Sequence, residues 1–220
     1  TNGTAYTFKV RAINASGTGS YSASSNVAIV ATVPGAPTGL TPTRGDTQVS
    51  LEWTAPTSNG GSAITDYIIE YKLTTEPTVW TTFNDGVSTD TDTIVIGLTN
   101  GLSYDFRVKA KNAAGIGSAS SVETIIPATV PGAPTAVSGT SNEDEQSTVT
   151  WTAPVSNGGS AITDYEVTVY NSTGGDPVGV TGDWTRSVGS GDTEFIFTGL
   201  TNGTAYTFKV KAINIVGGGA

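Results

Sequence analysis

The sequence predicts an all-β chain built as tandem seven-stranded antiparallel β-sandwiches, beads on a string that together make a rod. Three observations carry this. Blocks of sequence recur with a period of about 98 residues, too long for a solenoid repeat and the size of an independent sandwich. Apolar and polar residues alternate over short runs, as strands with one buried face require. Glycine (28 residues) and proline (10) are plentiful and punctuate those runs as turns.

The recurring blocks set the boundaries. Thr1–Val10 returns unchanged as Thr201–Val210 and, varied, as Thr99–Val108. Ala31–Pro37 returns as Ala128–Pro134, and Trp53–Pro56 as Trp151–Pro154. Ser58–Tyr67 returns without change as Ser156–Tyr165. Residues 1–31 therefore read as the C-terminal two strands of a partial domain. Residues 32–127 read as a complete domain, and residues 128–220 as a domain lacking its last strand. The chain opens in mid-pattern, as a segment of something longer would. Each Val-Pro-Gly-Ala-Pro block opens a bead. Its prolines suit an edge strand and make the short spacer a stiff joint.

The middle bead shows the strands in order. The first lies near Leu40 and is bounded by prolines. Val49, Leu51 and Trp53 alternate with Ser50 and Glu52 in the second. Tyr67, Ile69 and Tyr71 alternate with Ile68, Glu70 and Lys72 in the third. A short fourth strand is expected around Trp80. Ile94 and Ile96, near Leu98, mark the fifth. Tyr104, Phe106, Val108 and Ala110 alternate with Asp105, Arg107, Lys109 and Lys111 in the sixth, and Val122 marks the seventh. Asn59-Gly60-Gly61, Asn84-Asp85-Gly86, Asn100-Gly101 and Ala114–Gly117 supply turns. A core Trp buries roughly 150–250 Å², so Trp53 and Trp151 anchor their beads. Ser147 stands where the middle bead has Val49, which predicts a less stable third bead. On the outward faces, Glu70 should pair with Arg107 and Lys109, and Glu166 with Lys209 and Lys211. Each such pair contributes a fraction of a kcal/mol.

Composition excludes several functions. The chain has 220 residues and no Cys, His or Met. Disulfides, thiolate nucleophiles and His-based triads are ruled out. No catalytic, cofactor-binding or metal-ligating residue is assigned, and no cofactor is expected. Nineteen acidic against ten basic residues give a net charge of −9, the wrong sign for a nucleic-acid binder. No apolar run is long enough to span a membrane.

These residues resemble the fibronectin type III family. The resemblance rests on the opening prolines (Pro34, Pro37), the second-strand Trp (Trp53, Trp151) and the Tyr67, Ile69, Tyr71 strand. It also rests on the Leu-Thr-Asn-Gly-x-x-Tyr corner, Leu98 with Tyr104 and Leu200 with Tyr206, and on the Phe-x-Val-x-Ala-x-Asn strands ending at Asn112 and Asn214. The third-strand motif is weaker in the last bead, where Tyr165, Val167 and Val169 stand. The resemblance implies an immunoglobulin-like sandwich and a tyrosine corner, with the Tyr104 and Tyr206 hydroxyls bonded back to the backbone.

Other features carry a functional and a plainer reading. Arg44-Gly45-Asp46 is an integrin-binding triplet in adhesive members of the family, but from the loop between the last two strands. Here it precedes the second strand and reads as a turn. Asp85, Asp90 and Asp92, and the stretch Asn142 to Glu145, are acidic clusters without a calcium-loop pattern and read as solvated loop charge. Trp80 and Trp184 would stack on sugars if exposed; packing on their own sheet edges is the favoured reading. Asn2, Asn14, Asn171 and Asn202 lie in glycosylation triplets. Lys9, Arg11, Arg107 and Lys109 are too interleaved with acids for a nucleic-acid groove.

The expected function is a non-catalytic stalk, spacer or fibre segment of a large extracellular or cell-surface repeat protein, bacterial in style. Its partners would be neighbouring repeats, other copies of itself end to end through the orphan hairpin, and a surface glycan or protein ligand. The alternative is a spacer or weak carbohydrate-binding module of a secreted polysaccharide-degrading enzyme. A specific adhesin contacting its partner through loops such as 112–118 is a third reading.

Overall fold

In the computed structural model, residues 1–76, 78–171, 185–189 and 191–220 are described. Every regular element among them is a β-strand. The first thirty residues form a hairpin. β1 (Ala5–Tyr6) pairs with β4 (Ala28–Ile29), and β2 (Ile13–Asn14) with β3 (Gly17–Thr18). Between these pairings the Ser22 and Ser25 amides donate to the Val10 and Phe8 carbonyls, both at 2.8 Å. Phe8 is 61% and Val10 73% exposed, while their counterparts Phe106 and Val108 are wholly buried.

The middle sandwich comprises β5 (Thr38–Gly45), β6 (Gln48–Thr54), β7 (Ile64–Leu73), β8 (Thr81–Phe83), β9 (Asp92–Ile96), β10 (Tyr104–Asn112), β11 (Gly115–Ala119) and β12 (Glu123–Ile125). One sheet has the order β5-β6-β9. The other has the order β8-β7-β10-β11, with β12 also on β10. The expected seventh strand is thus split, and both halves pair antiparallel with β10. Val49, Leu51, Ile69, Val95, Phe106 and Val108 are fully buried between the sheets. In the fifth strand, however, Val95 faces the core while Ile94 and Ile96 face out. Gly97, at φ +79°, breaks the alternation before Leu98 turns inward.

The third sandwich repeats the plan. Its strands are β13 (Thr135–Gly139), β14 (Gln146–Thr152), β15 (Ile162–Asn171), β16 (Thr185–Ser187), β17 (Glu194–Thr198), β18 (Tyr206–Asn214) and β19 (Gly217–Gly218). They form a β13-β14-β17 sheet and a β16-β15-β18-β19 sheet. β19 pairs antiparallel with Ile213 and Asn214 at the end of β18, as β11 pairs with the end of β10.

The two tryptophans play equivalent parts. Trp53 meets Tyr67 edge-on at 5.3 Å between ring centres, and Trp151 meets Tyr165 at 5.4 Å. Burial pushes both tyrosine hydroxyls up in pKa. Neither buried indole N–H has an acceptor among the described residues. Each sandwich carries that penalty, about 1–3 kcal/mol, against the larger gain from burying the ring. Ser147 is buried where Val49 stands in the middle sandwich, and its hydroxyl donates to the Thr140 carbonyl at 2.9 Å.

Two compact units result. The first comprises Thr1–Thr43, Val49–Val95 and Ser103–Ile125; the second comprises Arg44–Gln48, Ile96–Leu102 and Ile126–Ala220.

Candidate functional site

The most elaborate polar construction among the described residues is a joint that occurs twice, once inside each unit. It starts from an asparagine at the end of β10 and β18. Asn112 is buried, and its side-chain amide donates to the Thr32 and Asn59 carbonyls, both at 2.8 Å. Its side-chain oxygen accepts from the Ala114 amide at 2.8 Å and the Gly115 amide at 3.2 Å. Asn214 does the same with Thr129, Asn157, Val216 and Gly217. One side chain thereby ties the opening linker, the Ser-Asn-Gly-Gly loop and the closing turn of a repeat. Its full satisfaction is what makes its burial tolerable.

The loop it holds is locked to the linker. The Thr32 amide donates to the Gly60 carbonyl at 2.9 Å and the Gly35 amide to the Ser58 carbonyl at 2.9 Å. Thr129 and Gly132 repeat this with Gly158 and Ser156. Gly60 and Gly158 sit at φ +72° with the linker carbonyls of Thr32 and Thr129 against them, where any Cβ would overlap.

The next glycine faces the Asn-Gly corner of the preceding repeat. In the first unit, a Cβ on Gly3 would lie 3.2 Å from the Gly61 Cα. In the second unit, a Cβ on Gly101 would lie 3.3 Å from the Gly159 Cα. The corner glycine also donates to the linker: Gly3 to the Val30 carbonyl at 2.8 Å, Gly101 to the Pro127 carbonyl at 3.0 Å. Pro127 and Ala128 are buried, and the Ala128 amide donates to the Gly45 carbonyl at 3.2 Å.

The corner itself is clamped by its asparagine. Asn100 donates to the Asp46 carboxylate at 2.7 Å and accepts from the Thr47 amide at 2.9 Å. Thr47 sits at φ 55°, and its carbonyl accepts from Leu98 at 3.0 Å. Asn202 holds Asp144 (2.8 Å) and Glu145 (2.9 Å) in the same way, with Glu145 at φ 51°. The Tyr206 hydroxyl accepts from the Thr201 amide at 3.0 Å, which is the corner expected there. Tyr104 is buried at the matching position.

This places the residues singled out in the sequence. Arg44-Gly45-Asp46 closes β5 and opens a two-residue turn into β6, with Asp46 engaged by Asn100 and Gly45 by Ala128. It is part of the joint. Asp90 is engaged by the Ser88 hydroxyl at 2.8 Å. Burial pushes Asp85 up in pKa, assisted by the charge of Asp66. No group of three metal-ligating side chains forms among the described residues. Trp80 is half-buried, with the Arg107 guanidinium 4.0 Å and the Lys72 ammonium 5.4 Å from its ring centre. Trp184 lies outside the described residues. Of the glycosylation triplets, Asn202 belongs to the clamp just described, Asn2 precedes the corner glycine Gly3, and Asn14 accepts from the Ser16 amide at 2.9 Å. The Arg11 guanidinium lies 4.7 Å over the Tyr21 ring.

The cross-strand charges of the middle sandwich are largely self-paired. Glu70 takes Arg107 at 2.6 Å and Lys109 at 2.9 Å, and Lys72 takes Asp105 at 2.7 Å. Burial pushes Glu70 and Asp105 up, but these cations, with Thr124 and Thr74 on Asp105, outweigh it and hold both carboxyls below their ordinary range. In the third sandwich Glu166 pairs with Lys211 at 2.8 Å, while Lys209 lies 5.1 Å from the Tyr170 ring centre.

Sequence reading noted the Asn-Gly corner and the Ser-Asn-Gly-Gly loop as turns. It missed that they meet. The signal was the exact recurrence of Ser58–Tyr67 as Ser156–Tyr165, a stricter identity than a loop needs.

Comparison with known proteins agrees with this architecture. The chain is 31% identical to human Myomesin-2 over 228 residues, covering 100% of this chain and 15% of that protein. It is 35% identical to Exoglucanase A of Cellulomonas fimi over 230 residues, covering 96% of this chain and 24% of that protein. The chain therefore spans under a quarter of either relative. The solved FN1–FN3 domains of chicken CNTN1 share the fold, at TM-score 0.51 and 19% identity, covering 100% of this chain and 73% of that one. The family model described as fibronectin type III domain matches residues 35–126 and again 132–220, and the chain belongs to that family, as tandem repeats.

Proposed function

We propose that this segment is a non-catalytic stalk or spacer of a larger extracellular repeat protein, and that its working parts are the joints between repeats. The observation that supports this is the recurrence, at both places where these repeats meet, of the same glycine pair, the same linker-to-loop hydrogen bonds and the same buried asparagine. A connector that only had to be flexible would need none of it. The acidic surface favours solubility and disfavours side-by-side association.

A spacer in a polysaccharide-degrading enzyme is the second reading, supported by the similarity to Exoglucanase A. Glycan binding by this segment itself is disfavoured because Arg107 covers a face of Trp80. Retention of the chain on insoluble cellulose and chitin separates the two roles. The stalk reading expects none; retention that Trp80→Ala abolishes would overturn it. Fractionation of the source cells, followed by intact mass of the native protein, tests the rest. A surface or secreted protein far heavier than 22.3 kDa is expected; a cytosolic one contradicts the localisation.

A further inference from the structure

We propose that the Asn202-Gly203 corner of the third sandwich is a docking surface for the Ser-Asn-Gly-Gly loop of a further repeat in the same polypeptide, a proposal that rests on the fixed-joint reading above. The corner exists three times in this chain, with Gly3, Gly101 and Gly203 at φ +79°, +85° and +79°. The first two meet the glycine of such a loop, within 3.2 and 3.3 Å of their Cβ positions. At Gly203, chain neighbours aside, nothing among the described residues comes within 4 Å of the Cβ position.

The third corner is nonetheless fully built. Asn202 clamps Asp144 and Glu145, Leu200 donates to the Glu145 carbonyl at 2.9 Å, and Thr204 donates to the Thr201 carbonyl at 3.2 Å. Beside it lies an open groove of about 890 Å³, bordered by Glu143, Asp144, Asn202, Gly203, Tyr206 and Phe208. The surface also says which loop it takes. A Cβ on Gly159 would lie 2.6 Å from the Gly101 amide nitrogen and 2.7 Å from the Asn100 Cβ. The partner must therefore present a glycine there, and at φ +85° glycine is also the residue that the backbone favours. The occupant is a repeat that enters through a Thr-Val-Pro-Gly-Ala-Pro linker and carries this loop.

The test extends the full chain in register. Ala220 occupies the repeat position of Ser118, so a second copy of Ala119–Ala220 is appended after it. Because the chain lacks cysteine, spin labels on two introduced cysteines report one distance cleanly. One sample carries Ile96→Cys and Thr198→Cys and spans the second joint. Another carries Thr198→Cys and the same change in the appended copy, and spans the new joint. The expected result is a single narrow distance in both, with coincident means. Gly159→Val in the appended copy should broaden the second distribution alone. A narrow distance at the existing joint with a broad one at the new joint would overturn the docking proposal and leave the fixed-joint reading standing. A broad distance at the existing joint would overturn that reading first. An appended repeat with native amide dispersion and a broad distance counts against docking, not against folding.

Discussion

Gly101 and Gly159 approach so closely that a methyl group on the first would lie 3.3 Å from the Cα of the second. The same pairing joins Gly3 to Gly61 at 3.2 Å. Repetition of a contact this tight, in the same chain, marks it as a feature of the repeat. It gives the near-identical loops a steric reason.

Gly159→Ala should therefore weaken the second joint. The left-handed backbone costs an alanine roughly 1–2 kcal/mol, and the added carbon meets the Asn100–Gly101 backbone. Denaturant unfolding should show a loss of at least that size. Gly86→Ala is the control, since its φ of +89° is similar and nothing lies within 4 Å of its Cβ position. A loss at Gly159 no larger than at Gly86 would mean the contact carries no energy.

Asn112→Ala removes four hydrogen bonds and leaves the Thr32 and Asn59 carbonyls without this donor. A loss of about 3 kcal/mol is expected from chemical denaturation. Asn112→Asp should be nearly as damaging, because the carboxylate keeps the acceptor and loses both donors. Amide exchange at Ala114 and Gly115 should quicken in the alanine variant.

Trp53→Ala and Trp151→Ala should each cost about 3–5 kcal/mol. The third sandwich should be the first to melt, because Ser147 replaces a fully buried valine and its one hydrogen bond offsets only part of the lost apolar burial. Calorimetry of the whole chain, with Ser147→Val as the diagnostic, checks this. Stabilisation of the lower transition is the expected result.

Acid should destabilise the chain. Glu70, Asp105 and Asp164 all sit below their ordinary range, despite burial that pushes each up. Asp164 is held there by the Ser187 hydroxyl and by the Gly189, Val188 and Tyr165 amides. A lowered carboxyl binds its proton less readily folded than unfolded, so its stabilisation is present above the ordinary range. It is lost as pH falls through the folded value. Asp85, raised by burial, acts in the opposite sense and is outnumbered. With no histidine, Tm should be level from about pH 6 to 8 and fall below about pH 4. Asp105→Asn should flatten that fall.

Much of the fold was legible because strand alternation is a local pattern. Val49, Leu51 and Trp53 face inward as their spacing requires. Ile94 and Ile96 marked the fifth strand, but both point outward, and the inward residue, Val95, lies between them. Hydrophobicity named the strand but not its face. Trp80 was legible as a sheet-edge residue, but its guanidinium partner on β10 depends on pairing register. The joint was least legible, since Gly61 and Gly159 acquire their role only when another repeat is placed against them.

The most direct test of the central claim is a set of residual dipolar couplings on the intact chain, fitted separately for the middle and third sandwiches. Fixed joints predict that one alignment tensor fits both, and that Gly159→Val splits it into two. Two unequal tensors in the unaltered chain would show that the sandwiches reorient independently, and would contradict the account.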